Sequence, residues 1–141
     1  MKKNMIHMIV LAIACLFASC QDSSKLVISD LQCEYLNAPL AIDNTTPHFG
    51  WKMTCGQNGI SSSAYQILVA SELDKLNEEE ADLWNSGKVS SDTSLGIAYG
   101  GKALTSRTQA YWKVRVWNQA DVPSEWSKPA SFGIGMLSEN D

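Results

Sequence analysis

Residues 111–118, Tyr111-Trp112-Lys113-Val114-Arg115-Val116-Trp117-Asn118, repeat with a period of two, which suits a strand and not a helix. Trp112, Val114 and Val116 fall on one side of the extended chain, and Tyr111, Lys113, Arg115 and Trp117 on the other. A strand with a wholly apolar side must lay it against a second layer, so the chain needs a facing sheet. Residues 48–55 supply the matching pattern, with Phe49, Trp51, Met53 and Cys55 alternating with His48, Gly50, Lys52 and Thr54. Further strands are expected at residues 26–36, 64–71, 83–89, 94–99 and 130–134, separated by turn residues such as Asn37, Pro39, Gly100 and Gly101. Pro123 and Pro129 precede the last and mark it as an edge strand, because proline cannot donate to a ladder. A helical turn is expected over residues 72–81 alone. Together these segments predict an all-β fold, a seven-stranded sandwich of two sheets.

The amino-terminal residues stand apart from that pattern. Lys2 and Lys3 precede an apolar run over residues 9–18 that ends in small side chains before Cys20, which reads as a secretory signal. The run is too short for a ~30 Å hydrocarbon core, which takes about 20 helical residues. Leu16-Phe17-Ala18-Ser19-Cys20 resembles a lipobox, so Cys20 is the expected lipid attachment site, although Phe17 stands where leucine is more usual. The expected organisation is a lipoprotein signal peptide at 1–19, a lipidated tether at 20–25, the sandwich at 26–135, and the start of a linker to a further domain at 136–141. Acyl chains worth ~0.8 kcal/mol per buried methylene would hold the protein on a membrane of the cell envelope. Asp22 is similar to the export signal of surface lipoproteins, which points to the outer membrane or cell surface of a Gram-negative bacterium.

Charge and motif content narrow the chemistry. Of 11 Lys and Arg residues, Lys2 and Lys3 leave with the signal, and 9 cations against 15 acids give the mature chain a net charge of −6, unsuited to nucleic acid. The mature body holds one histidine, His48, at the mouth of a strand, so a Ser/His/Asp or Cys/His relay has a single place to form. No glycine-rich phosphate loop, zinc-spaced Cys/His set or dinucleotide fingerprint occurs, and neither cofactor nor metal is expected. Glu78-Glu79-Glu80 with Asp82 reads as a solvated loop or turn in preference to a calcium cluster. Carboxylate pairs for glycoside hydrolysis are not limited by spacing. A domain of this size, however, spends its interior on core and has little room for a cleft that raises one acid's pKa beside an ionised partner. Cys33 and Cys55 are expected as core thiols outside any disulfide. A hairpin register with Tyr35 facing Phe49, Trp51 facing Cys33 and Ser29 facing Cys55 would hold the sulfurs about 13 Å apart, at ~3.3 Å per residue.

Several segments, taken in order, carry a family likeness: Leu31-Gln32-Cys33-Glu34-Tyr35-Leu36, Ala41-Ile42-Asp43, Pro47-His48-Phe49-Gly50-Trp51, Ala64-Tyr65-Gln66-Ile67-Leu68-Val69-Ala70-Ser71, Asp82-Leu83-Trp84-Asn85-Ser86-Gly87-Lys88-Val89 and Tyr111-Trp112-Lys113-Val114-Arg115-Val116-Trp117. The set resembles the N-terminal domain of bacterial α-L-rhamnosidases of glycoside hydrolase family 78, and covers nearly all of the mature chain. The resemblance implies a fibronectin type III, immunoglobulin-like sandwich. In the family this domain precedes further β domains and an (α/α)6 barrel, where a general acid and a water-activating base remove terminal rhamnose with inversion. None of those catalytic residues maps onto this sequence. His48 stands where an arginine is usual and Gly50 where a serine is usual.

Tyr111, Lys113, Arg115 and Trp117 form the candidate face. Two aromatics and two cations on one side of a strand suit stacking on sugar rings, docking of a neighbouring domain, or cover by the domain's own loops with Trp84 or Trp126. Two roles follow. The chain is the non-catalytic amino-terminal piece of a rhamnosidase, spacing and bracing the downstream domains away from the lipid anchor; or it is a free-standing envelope lipoprotein that binds a rhamnose-containing glycan or a protein. Mass spectrometry of the mature amino terminus should find an acylated Cys20, and Cys20→Ala should release the protein from membranes. An unmodified Cys20 would contradict the lipobox assignment.

Overall fold

The structure, a computed structural model, describes residues 25–138. Residues 1–24, which hold the expected signal segment, Cys20 and most of the expected tether, and residues 139–141 lie outside the described residues. Seven strands form: β1 (Leu26–Cys33), β2 (His48–Cys55), β3 (Ser62–Ala70), β4 (Trp84–Asn85), β5 (Ile97–Ala98), β6 (Gln109–Asn118) and β7 (Ala130–Gly133). They pair antiparallel into two sheets, ordered β1-β2-β5 and β4-β3-β6-β7. The chain is thus the expected all-β sandwich, and no described helix is long and apolar enough to cross a membrane.

The alternation in β2 and β6 decides which sides meet. Trp112, Val114 and Val116 are completely buried, and Phe49 of β2 lies among them, with its ring 4.4 Å from Trp112 and 5.6 Å from Phe132. Trp84 and Tyr99 close the cluster around Phe49 at 6.3 and 6.4 Å. Two expected strands shrink to two residues each, and a left-handed glycine explains both. Gly87 (φ 62) breaks the run after β4, leaving Val89 to rejoin β3 through one bridge to Tyr65, and Gly96 (φ 73) precedes β5.

Residues 72–81 form no helix beyond one turn. Asn77 caps it: its side-chain oxygen accepts the amides of Glu79 and Glu80 at 3.1 and 3.0 Å, and its carbonyl accepts the Ala81 amide at 3.1 Å. The segment goes no further because Leu76 is drawn onto the outer side of β3, against Leu68 and Ala70. Asp82 fastens the far end, accepting the Ser71 amide and hydroxyl at 2.9 and 2.6 Å.

The expected register of the first hairpin does not occur. Cys33, not Tyr35, lies opposite Phe49, because β1 ends at Cys33; a bulge between Ser29 and Gln32, with Asp30 left-handed (φ 51), then takes one extra residue of β1, so that Ser29 lies opposite Lys52 and Leu26 opposite Cys55. Tyr35 does not pair at all. Strand β1 stops at Cys33, which exchanges two 3.0 Å amide bonds with Leu36 around Glu34 (φ 50) and Tyr35 (φ 63). A turn with two positive φ values normally takes Asn-Gly, and each non-glycine residue here costs about 1–2 kcal/mol. The Glu34 carboxylate offsets that strain by accepting the His48 amide at 2.7 Å and the Asn44 amide nitrogen at 3.0 Å, with His48 Nδ1 also at 3.0 Å. Cys33 and Cys55 are six β2 positions apart by register, about 20 Å at ~3.3 Å per residue, and neither forms a disulfide. Burial pushes the Cys33 thiol up to about 12.

Beyond this turn the chain runs beside β7 and covers its free edge. Pro39 accepts the Gly133 amide at 2.8 Å, Ile42 donates to Gly133 at 2.9 Å, and Gly135 donates to Ile42 at 2.9 Å. The approach requires glycine at 133, since a Cβ there would stand 2.2 Å from the Leu40 carbonyl oxygen. Leu26 pairs at the end of β2 and Lys25 meets Glu125, whereas Gly133 pairs at the start of β6; residues 25 and 137 therefore sit at opposite ends of the sandwich.

Burial raises the Glu34 carboxyl, but the bonds from the His48 ring and amide and from Asn44 outweigh it and hold the group below its ordinary value. Its stabilisation is complete above the unfolded-state pKa of about 4.3 and disappears as pH falls through the lower folded value. Urea melts from about pH 6 to about pH 3 should show that loss, and Glu34→Gln should be less stable at the upper pH with a shallower decline. Parallel curves for the two proteins would contradict this role.

Candidate interaction face

The outer side of β6 carries the four residues singled out by the sequence. Its neighbour β3 presents Ala64 opposite Trp117, Gln66 opposite Arg115, Leu68 opposite Lys113 and Ala70 opposite Tyr111 there. On the other flank, residues 122–127 follow β6 without a regular ladder. Ser124 donates its amide to Val116 at 2.8 Å and accepts the Val116 amide on its hydroxyl at 3.1 Å; Ser127 does the same with Val114 at 2.9 and 3.1 Å. Two serine hydroxyls thus stand in for backbone acceptors after Pro123, and of the two residues between them Trp126 is placed over the outer side of β6.

The result is an alternating stack of cations and rings. Lys88 lies 4.8 Å from the Trp117 ring, Arg115 4.9 Å from Trp117 and 4.6 Å from Trp126, and Lys113 5.0 Å from Trp126. The Arg115 guanidinium, held between two indoles, also donates to Gln66 Oε1 at 3.1 and 2.9 Å and to Glu78 at 2.7 Å. Gln66 is itself oriented by a 2.9 Å bond to Asn85. Lys88 pairs with Asp121. Burial lowers the pKa of Lys113, with Glu78 opposing and Arg115 adding to the shift. Trp117 is only 8% exposed, so most of its ring is covered.

The structure therefore joins Lys113, Arg115 and Trp117 into one stack, while Tyr111 packs towards Leu68, Ala70 and Leu76, a cluster that Trp126 also touches. Trp126 shares the face, whereas Trp84 lies on the inner side against Phe49 and Tyr99. Lys88 and Gln66 were not singled out for this face from the sequence, and Glu78 was read there only as part of a solvated acidic run. The Ser124/Ser127 spacing around Trp126, and a glutamine at an outward position of β3, were the available signals. The acidic run is dispersed over separate partners, Glu78 on Arg115, Glu80 on Asn77 and Asp82 on Ser71. Among the described residues no group of three His, Cys, Asp or Glu side chains is placed to hold a metal ion.

Residues 28–138 match the family described as the Rha78A-like, N-terminal immunoglobulin domain. This chain belongs to that family. An α-L-rhamnosidase of Formosa agariphila is 43% identical over 145 residues, a match that takes in all of this chain and 15% of that protein. One of Streptomyces avermitilis is 39% identical over 114 residues, 81% of this chain and 11% of that protein. Among solved structures, the Streptomyces avermitilis α-L-rhamnosidase complexed with L-rhamnose superposes with a TM-score of 0.78 at 37% identity, over 82% of this chain and 11% of its own. The α-L-rhamnosidase from Dictyoglumus thermophilum also gives 0.78, at 34% identity, over 84% and 13%. This chain matches the N-terminal domain of such enzymes and spans 11–15% of the length of these relatives.

Within this Rha78A-like immunoglobulin domain, His48 spends its ring on Glu34, and Gly50 lies beneath Leu95, whose Cδ1 would come within 2.8 Å of an added Cβ. Ser127→Ala should strand the buried Val114 amide and lower stability by about 1–3 kcal/mol, measured by urea melting. An unchanged midpoint would show that the serine clip does not hold the stack in place.

Proposed function

We propose that this domain is the non-catalytic amino-terminal accessory module of an α-L-rhamnosidase, and that it spaces and braces a catalytic region elsewhere in the polypeptide that removes terminal α-L-rhamnose from glycans. The observation that carries the proposal is the 43% identity across this whole chain to 15% of a protein named α-L-rhamnosidase. The entry and exit of the chain at opposite ends of the sandwich suit a spacer. The side chains that would be asked to do chemistry are otherwise engaged. His48 is bonded to Glu34, and Cys33, with its thiol raised to about 12, is a poor nucleophile. Tethering through a lipidated Cys20 would set the module between the envelope and the enzyme, and the lipobox-like sequence before Cys20 supports that arrangement.

The purified chain should release no aryl alcohol from an aryl α-L-rhamnoside above background. Removing the matching residues from the Formosa agariphila relative should lower its melting midpoint while leaving rhamnoside hydrolysis detectable. Turnover by this chain that survived repurification would overturn the reading, as would an unaltered midpoint of the shortened relative.

A further inference from the structure

The edges of the two sheets are closed in different ways, and one long edge is left. Residues 39–42 run beside β7, and Ser94, just before β5, accepts the Trp51 amide of β2 at 2.9 Å. Strands β4 and β5 have two residues each, too short to template a further strand. Strand β1 has eight residues and pairs on one side with β2. Among the described residues, its backbone between Leu26 and Gln32 makes no backbone bond to any other segment. An open row of amides and carbonyls of that length invites pairing with another chain.

Asp30 interrupts that row, and the packing of the core does not use it. Leu26, Ile28, Leu31 and Cys33 belong to the core or pack against it, whereas Ser29 and Gln32 lie opposite Lys52 and Gly50. The first inward pair and the second are out of step by one residue, and Asp30 is the surplus. Without it the strand would read Leu26-Val27-Ile28-Ser29-Leu31-Gln32-Cys33, an unbroken alternation that keeps all four inward side chains inward. Asp30 is instead held left-handed (φ 51), which is strained for a residue with a Cβ. A strained residue that packing does not require points to another purpose.

A bulge leaves its extra residue unpaired and adds local twist, so a second strand laid along β1 loses its register at Ser29. Asp30 is also the one charged residue between Leu26 and Cys33, and its carboxylate meets Lys52 Nζ at 2.6 Å. The other residues of β1 include no charge, no proline and no glycine, and Leu26-Val27-Ile28 strongly favours a strand; such a segment pairs readily with copies of itself. Val27 stands 60% exposed three residues before the bulge. We infer that the Asp30 bulge is a guard that keeps β1 from pairing edge to edge with β1 of a second copy of this chain.

Sedimentation and urea melting of the purified chain test it. The wild-type chain should be a monomer. Deleting Asp30 should keep a cooperative melt, with a midpoint no lower than wild type, and should give a dimer or larger species as concentration rises. Adding Val27→Lys to the deletion should return the monomer, because a lysine on the edge opposes pairing. Asp30→Gly, which keeps the bulge without its strain, should stay monomeric with a higher midpoint. A deletion variant that folds and stays monomeric at every concentration overturns the guard. One that loses its cooperative melt shows that the core needs Asp30, and overturns it equally. Association that survives Val27→Lys places the contact elsewhere and contradicts the proposed surface. Association of Asp30→Gly would move the role from the bulge to the charge, and a wild-type dimer dissolved by Val27→Lys would show the edge unguarded; either result sinks the inference.

Discussion

The contact of Phe49 with Trp112, 4.4 Å between ring centroids across the two sheets, is the constraint from which the other features follow. Rings of this size bury about 150–250 Å² each, worth at most about 4–6 kcal/mol at ~25 cal/mol per Å². With Phe132, Tyr99 and Trp84 added, the cluster leaves the two sheets one way to face each other. Once Trp112 is turned inward, the period of the strand turns Tyr111, Lys113, Arg115 and Trp117 outward, and something must cover them. The Ser124 and Ser127 clips bring Trp126 to that task.

The inner core was legible because it depends on alternation within single strands, as in Phe49/Trp51 and Trp112/Val114/Val116. Features that depend on left-handed residues were not. The turn at Glu34-Tyr35 uses residue types that give no local sign of positive φ, a lone Asp30 inside a strand pattern gives only a weak one, and both the turn and the bulge at Asp30 shift the register of β1. Glu34 makes that turn affordable only through His48 and Asn44, which lie at least ten residues away. The stack was half legible: β6 shows its cations and rings, but the partner that completes them arrives from a loop whose course is set by two serines. The lipobox-like segment is a matter of sequence alone, outside the described residues.

The sandwich thus has two outer regions of opposite character. Along most of β6, cations, rings and carboxylates satisfy one another, and a ligand would have to displace contacts already made. Beside the exit, the apolar side chains of Leu40 and Met136 are exposed.

The central claim is that the cation–ring face is filled by the domain's own contacts. The direct measurement is an NMR titration of the 15N-labelled domain with L-rhamnose and with a rhamnose-rich oligosaccharide, following the indole resonances of Trp117 and Trp126. The account predicts that both stay in place at saturating sugar. Saturable movement of either resonance, lost in Trp126→Ala, would contradict it.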